Sequence, residues 1–260
     1  MDLQLTGKRA LVSGSTAGIG FAIASRLARE GASVIVNGRK QSRVDAAISA
    51  LGGGDISGYA GDFSQPQAIN ELIERWPELD ILVNNAGIFE ARPFGEITDE
   101  EWNHIWEVNV MSGVRLSRHY LPKMLQRGWG RIIFISSESG IQPPVEMIHY
   151  GVTKTAQLAV SRGLAEMTAG TGVTVNSVLP GPTRSEGVEA FVKQLAAQQN
   201  TDEATIEKMF FEKARPSSLL KRFETPEEIA DMVAFIASPL SSGTNGAAVR
   251  VDGGVVRSIL

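Results

Sequence analysis

The chain has 260 residues, 43% hydrophobic and 21% charged, an ordinary balance for a globular protein with a full core. With 25 Lys and Arg against 29 Asp and Glu, its formal net charge of -4 argues against nucleic acid or an anionic membrane as the main partner, while leaving room for a local basic pocket. It has no cysteine, which excludes disulfides, thiolate catalysis and cysteine-held zinc or iron–sulfur centres, and no metal is expected.

Residues 1–9 are polar and lack the apolar centre of a signal peptide. No apolar run approaches the roughly 18 residues of a membrane span, so a cytoplasmic location without a membrane partner is expected. From there, short β-branched runs alternate with longer amphipathic stretches. Strands are expected at 9–13, 33–37, 56–60, 80–84, 131–136, 173–179 and 247–251. Helices are expected at 19–30 (closed by Gly31), 41–51, 65–76 (stopped by Pro77), 149–169 and after Pro226. Thr98 followed by Glu101 has the form of a capping box and opens a long helix towards Tyr120. Runs such as Ile132-Ile133-Phe134-Ile135 are apolar throughout, as in parallel strands buried on both faces. The fold class expected is a single-domain, doubly wound α/β sheet over 1–260, Rossmann-like, without repeats or linkers.

One segment departs from the alternation. Between 184 and 222 the chain gives Glu-, Lys- and Gln-rich helical patches without a strand, with few apolar anchors. A substrate lid is expected there, with Phe191, Leu195, Met209, Phe210 and Phe211 facing inward on closure.

The first strand runs into Ser13-Gly14-Ser15-Thr16-Ala17-Gly18-Ile19-Gly20 and directly into a helix. Glycines there let backbone approach a pyrophosphate at a helix N-terminus, where free N–H groups and the dipole favour anions. The spacing differs from G-x-G-x-x-G, so chain reversal alone would also account for it. The second strand ends Val36-Asn37-Gly38-Arg39-Lys40. A carboxylate there would favour NAD by holding a ribose 2′-hydroxyl. Its absence, with Gly38 leaving space and Arg39 able to bind a 2′-phosphate, points to NADP over NAD.

Tyr150 and Lys154 lie one helical turn apart in Tyr-Gly-Val-Thr-Lys, on one helix face. A free tyrosine, at a pKa of about 10, exchanges protons poorly at neutral pH, and a nearby ammonium favours its phenolate. Lowering it by roughly three units needs about 4 kcal/mol, within reach of a lysine and an oxidised nicotinamide together.

Taken together these features resemble the short-chain dehydrogenase/reductase family, in its single-domain members with a Tyr-x-x-x-Lys pair. The resemblance rests on the glycine loop at 13–20, Asp62, Asn84-Asn85-Ala86-Gly87, Asn109, Ser137, Tyr150, Lys154, Pro180-Gly181 and Val251-Asp252-Gly253-Gly254, in order over nearly the whole chain. It implies a hydride transfer between NADP(H) and a carbonyl or alcohol. Tyr150 would be the acid/base, Ser137 would orient the substrate oxygen, and Lys154 would hold the nicotinamide ribose and lower the tyrosine pKa. Asn109 would anchor a water linking Lys154 to solvent. By the same resemblance Gly14, Ser15, Thr16, Gly18, Ile19, Gly20, Arg39, Asp62, Phe63, Asn84, Ala86, Gly87, Tyr150, Lys154, Pro180, Gly181 and Thr183 form the cofactor site.

Ser136, Ser137 and Ser139 crowd together, so the choice of serine rests on the family's spacing to tyrosine. Asp62 would serve equally as a cap for the helix beginning near Gln65. No role is given to His104, His119 or His149. The alternative is an NADP-binding regulatory or vestigial member without turnover, against which all of Ser137, Tyr150 and Lys154 are retained. An enoyl reductase is a further rival, but such relatives usually space tyrosine and lysine more widely. Relatives are commonly tetramers, pairing the long helices of Asn109 and Tyr150, and the apolar run 255–260 would dock on a neighbour. Pro143, Pro144, Val145, Met147, Phe210 and Phe211, with Glu146 and Arg184, are the expected pocket wall, mainly apolar and without a readable substrate.

Overall fold

A strand that is apolar on both faces needs a layer of helices on each. The computed structural model meets that demand; it describes residues 2–259, so Met1 and Leu260, the outer ends of the polar N-terminus and the apolar C-terminal run, lie outside. Among the described residues β1 (Arg9–Val12), β2 (Ser33–Gly38), β3 (Ile56–Ala60), β4 (Ile81–Asn84), β5 (Gly130–Ile135), β6 (Val173–Pro180) and β7 (Ala248–Val251) form a seven-stranded sheet. Its order is β3-β2-β1-β4-β5-β6-β7, with every pairing parallel. Val12, Val34, Val36, Val83, Ile133 and Ile135 are buried against α1 (Gly18–Arg29) and α9 (Pro226–Ala237). Their neighbours Leu11, Ile35, Leu82, Ile132 and Phe134 are buried in the opposite layer. That layer contains α3 (Pro66–Arg75), α5 (Ser112–Arg127) and α6 (Ile148–Glu166). The remaining helix beside β2 and β3 is α2 (Gln41–Leu51).

The chain turns back across the sheet between β1 and β4. The crevice outside the carboxyl ends of strands at such a switch point is where doubly wound sheets bind ligands.

Two expectations change. The long helix opens as expected, with Glu101 N–H donating to Thr98 Oγ1 (3.3 Å) and Thr98 N–H to Glu101 Oε2 (2.8 Å). It is not continuous: α4 (Asp99–Trp106) passes into a π-helical turn over Glu107–Met111 before α5 begins. Residues 184–222 fold as α7 (Glu186–Gln198) and α8 (Glu203–Lys213), and they are not poor in apolar anchors. Val192, Ala196, Ile206 and Phe211 are buried together with Phe223, because the two helices turn their apolar faces on each other. Phe191 remains 57% exposed. The C-terminal run is likewise partly used within the chain: Val255 and Val256 are buried, and Arg250 donates to the carbonyls of Val256 (3.3 Å) and Ser258 (2.8 Å). Among the described residues no helix is long and apolar enough to cross a membrane.

Glu224 ties the stem of the 184–222 excursion. Its N–H donates to Pro182 O (2.9 Å), its carbonyl accepts from Arg184 N–H (2.8 Å), and its carboxylate accepts from Gly181 N–H (3.1 Å). Burial, reinforced by the nearby carboxylates of Asp252 and Glu228, pushes the Glu224 carboxyl up to about 7. Between its ordinary range and pH 7 the folded chain therefore holds a proton that the unfolded chain has released, and this group's contribution to stability falls as pH rises through that window. Glu224→Gln keeps the acceptor and removes the charge. Thermal melts should show it raising Tm at pH 8 by several degrees and changing little at pH 5; an equal effect at both would contradict the buried carboxyl.

Candidate active site

The glycine loop is knitted to three strand ends by short polar side chains. Ser13 Oγ accepts from the N–H groups of Asn85 and Ala86, each at 2.9 Å. Asn85 Nδ2 donates to the carbonyls of Ser13 (2.9 Å) and Gly14 (3.0 Å). Asn37 Oδ1 accepts from Gly14 N–H (3.1 Å), while its Nδ2 donates to the carbonyls of Tyr59 and Gly61. Ser15 Oγ donates to Val12 O (2.6 Å) and accepts from Asn37 N–H (3.0 Å). Asn37 and Asn85 were not expected in this part, although Asn85 lies in the Asn84-Asn85-Ala86-Gly87 motif; each acts across more than twenty residues of sequence.

Helix α1 opens directly from this loop, with no side-chain cap among the described residues and no acidic residue in its first turn. Its leading N–H groups are thus left for an outside acceptor. A Cβ on Gly20 would lie 2.4 Å from both Asn85 Nδ2 and Gly14 O, so only glycine permits the packing of helix on loop. A Cβ on Gly38 would meet Thr16 Cγ2 at 2.5 Å, so the space expected at Gly38 is taken up by Thr16. This brings Thr16 beside the exposed Arg39 at the end of β2. An uncapped helix start, a glycine cradle and a free guanidinium fit a phosphorylated dinucleotide.

The other expected cofactor residues divide by which part faces the crevice. Ala86 and Gly87 lie along it: a Cβ on Gly14 would stand 3.1 Å from Ala86 Cα, and one on Gly87 would be 3.5 Å from Asn109 Oδ1 and Lys154 Nζ. The Asn84 side chain points away, its Nδ2 donating to Ser117 Oγ (3.2 Å) on α5. Phe63 is buried against Tyr59, with ring centroids 6.2 Å apart. Asp62 accepts from Ser64 N–H (3.0 Å), closing the turn before α3 and not capping the helix itself. Gly181 packs where a Cβ would come within 2.8 Å of Asp252 Cα, bringing Pro180-Gly181 against the Val251-Asp252-Gly253-Gly254 turn. Thr183 Oγ1 donates to Gly181 O (2.9 Å).

Past the end of β5 the three serines separate. Ser136 Oγ donates to Lys154 O (2.9 Å), and Ser139 Oγ donates to Glu138 (2.6 Å). Ser137 Oγ accepts from Ser139 N–H (3.1 Å), and its side chain favours the ionised form of Tyr150. Of the three, Ser137 is the one that acts on Tyr150. Lys154 Nζ sits 5.5 Å from the Tyr150 ring centre and donates to Ile135 O (2.9 Å) and Gln157 Oε1 (3.3 Å). Burial pushes Tyr150 up to about 12, opposed by the Ser137 hydrogen bond and by Arg215, and assisted by Glu138. Burial also lowers Lys154 to about 7. The cofactor-free site therefore holds a protonated phenol beside an amine poised between its two charge states.

Asn109 is buried in the π turn. Its Oδ1 accepts from Ile88 N–H (2.8 Å), and its Nδ2 donates to Ile88 O (2.9 Å) and Thr153 Oγ1 (3.0 Å). It therefore pins the segment after Gly87 to α6. A buried ion pair that no local pattern announces lies one residue from Ser137: Arg215 Nε donates to Glu138 Oε1 at 2.9 Å, and Arg215 also reaches Glu146 (3.3 Å). His149 is buried edge-on to Trp102. Of the expected wall, Phe210 packs tilted and Phe211 edge-on against Phe223 at centroid distances of 5.0 and 5.1 Å, and Arg184 pairs with Glu203 and Glu207.

Comparison with known proteins agrees with this arrangement. The family profile described as short chain dehydrogenase matches residues 8–196. Two oxidoreductases of Bacillus subtilis (strain 168) are each 51% identical over 263 residues, covering 100% of both chains. A D-beta-hydroxybutyrate dehydrogenase of Rhizobium meliloti (strain 1021) is 32% identical over 255 residues, 95% of this chain and 98% of that one. The crystal structure of L-sorbose reductase from Gluconobacter frateurii, complexed with NADPH and L-sorbose, superposes with a TM-score of 0.94 at 32% identity over 100% of both chains.

Proposed function

The chain is an oxidoreductase of the short-chain dehydrogenase/reductase family, and from that premise we propose that it moves a hydride between NADP(H) and a carbonyl or alcohol, with Tyr150 as general acid/base. The observation that carries this reading is the Ser137–Tyr150–Lys154 cluster at the end of the glycine crevice. The nicotinamide supplies or accepts the hydride. Tyr150 gives its phenolic proton to the carbonyl oxygen, or takes one from the alcohol. Ser137 hydrogen-bonds that oxygen and holds it on the tyrosine, stabilising the charge that develops there. Lys154, as an ammonium, stabilises the phenolate left on Tyr150 and offers a donor to the ribose hydroxyls.

Thr16 and Arg39 together support NADP over NAD, since a hydroxyl and a guanidinium meet a 2′-phosphate where a carboxylate would repel it. The names of the relatives make ketoses and short hydroxy or keto acids the first substrates to try. The α7–α8 pair is the substrate wall, closing as one body because it carries its own core. The chain assembles as a homotetramer. This is supported by a groove of about 330 Å³ between α5 and α6, where the apolar side chains of Val114, Leu121, Pro122, Val160, Leu164 and Met167 lie with Ser117 and Arg118.

Three measurements test these readings. On a ketone that the unmodified protein reduces with NADPH, Tyr150→Phe should lose about 10²–10⁴-fold in turnover while still binding cofactor; near-normal turnover would overturn the acid/base assignment. Fluorescence titration should show NADPH binding more tightly than NADH, and Arg39→Ala narrowing the gap on the order of tenfold. Equal affinities in the unmodified protein would remove the basis for NADP. Light scattering at micromolar concentration should give a tetramer, and a monomer would refute the assembly.

A further inference from the structure

Gln157 lies on α6 three residues beyond Lys154 and is only 2% exposed. A buried amide is costly unless both of its ends are bonded. Both ends are engaged here, and both by the proton-transfer machinery. Gln157 Oε1 accepts from Lys154 Nζ at 3.3 Å, and Gln157 Nε2 donates to the backbone carbonyl of Asn109 at 2.5 Å. That carbonyl stands inside the π turn, where the regular i→i+4 ladder is interrupted.

We propose that Gln157 is the positioning residue of the catalytic lysine, tying the Lys154 ammonium to the Asn109 carbonyl and so holding it beside Tyr150. The proposal deepens the hydride-transfer reading and rests on it for the role of the pair. An ammonium has three donors. Ile135 O takes one and Gln157 Oε1 another, which leaves one for a ligand or for the phenolate side. An amide accepts through oxygen and donates through nitrogen and does not pass a proton between them. This link therefore holds Lys154 in place; it does not relay.

The electrostatic consequence follows from the surroundings. Lys154 is packed among neutral groups: the Ile135 carbonyl from β5, the Gln157 amide from its own helix, and Gly87 with the Asn109 amide oxygen from the segments above. The titratable neighbour is Tyr150, and beyond it Glu138 and Arg215 act on the tyrosine from the loop after β5 and the end of α8. Among the described residues burial is what depresses Lys154, and a neutral acceptor is what favours its charged form. Removing that acceptor makes the amine neutral over more of the working range and deprives a Tyr150 phenolate of its cation.

Two titrations that need no turnover substrate test this, each run on the cofactor-free and the NADP⁺-saturated protein. Carbon-13 NMR of labelled lysine follows Lys154, and Lys154→Met assigns its signal. Ultraviolet phenolate absorbance follows Tyr150. The chain has 3 tyrosines; Tyr59 is pushed up to about 12, Tyr120 is raised further by burial, and Tyr150→Phe identifies the remaining step. Gln157→Met, which keeps the length of the side chain, should lower the Lys154 step by about one pH unit, a tenfold change in ionisation constant, and leave in place the Tyr150 step of the cofactor-free protein, which is taken with Lys154 already neutral. Gln157→Glu keeps an acceptor, adds an opposite charge and should raise the Lys154 step. Should Gln157→Met fail to fold, Gln157→Glu alone decides. A Lys154 step unmoved in either folded variant overturns the proposal. A protein that reduced no carbonyl would instead refute the hydride-transfer reading and leave these titrations to be judged separately.

Discussion

The burial of one ammonium group sets the terms for the rest of the site. Lys154 is 4% exposed, and desolvation lowers it to about 7. Left without acceptors in such a place, an amine would be neutral and useless as a partner for a phenolate. The fold answers with oxygens held at fixed positions: Ile135 O at the end of a central strand, and Gln157 Oε1 on the same helix. The second of these is itself held by a carbonyl that the π turn presents. A parallel sheet, a long helix crossing its end and a defect in the neighbouring helix are all needed to place three atoms. In that sense the π turn is part of the site and not an imperfection beside it.

The sheet was the most legible part of the chain, for a reason visible in single strands. Residues 132–135 are all apolar because Ile132 and Phe134 face one helical layer while Ile133 and Ile135 face the other. Period and length sufficed to read them. The π turn was not legible, since Glu107–Met111 has the composition of ordinary helix and the extra residue is absorbed through tertiary contacts from Asn109 to Ile88 and Thr153. The core of α7 and α8 was misread for the opposite reason. Its charged residues are numerous, and the burial of Val192, Ala196, Ile206 and Phe211 appears only when two amphipathic faces are brought together.

The site was legible where spacing along one element carries the chemistry, as in Tyr150 and Lys154 on one helix face. It was legible by resemblance where separate motifs stand at strand ends in a set order. It was least legible where an amide bridges distant segments. Asn37 and Asn85 lock the glycine loop across 23 and 71 residues, and Gln157 reaches Asn109 across 48. Asn37 and Gln157 follow or interrupt mostly apolar runs, so their sequence context is that of core. What distinguishes Asn37 and Gln157 is that each has both amide ends engaged, which only the folded chain reveals.

The ion pair of Glu138 and Arg215 carries this logic to the edge of the active site. Glu138 follows Ser137 directly, and Arg215 stands just past α8 within the excursion that begins at Arg184. The pair is nearly dry, so its two charges stabilise one another strongly only while both remain in place; loss of either would leave the other buried without compensation. The excursion is thus fastened at two points, at its stem by Glu224 and just past α8 by Arg215, and it carries its own hydrophobic cluster. Tethering of this kind registers the exit of the α7–α8 pair to the loop of Ser137. It also places the opposed charges of Arg215 and Glu138 where both act on Tyr150, one favouring its phenolate and the other opposing it. A displacement of that pair would therefore change the acidity of the tyrosine as well as the shape of the pocket. The α7–α8 pair and Tyr150 are coupled through this salt bridge.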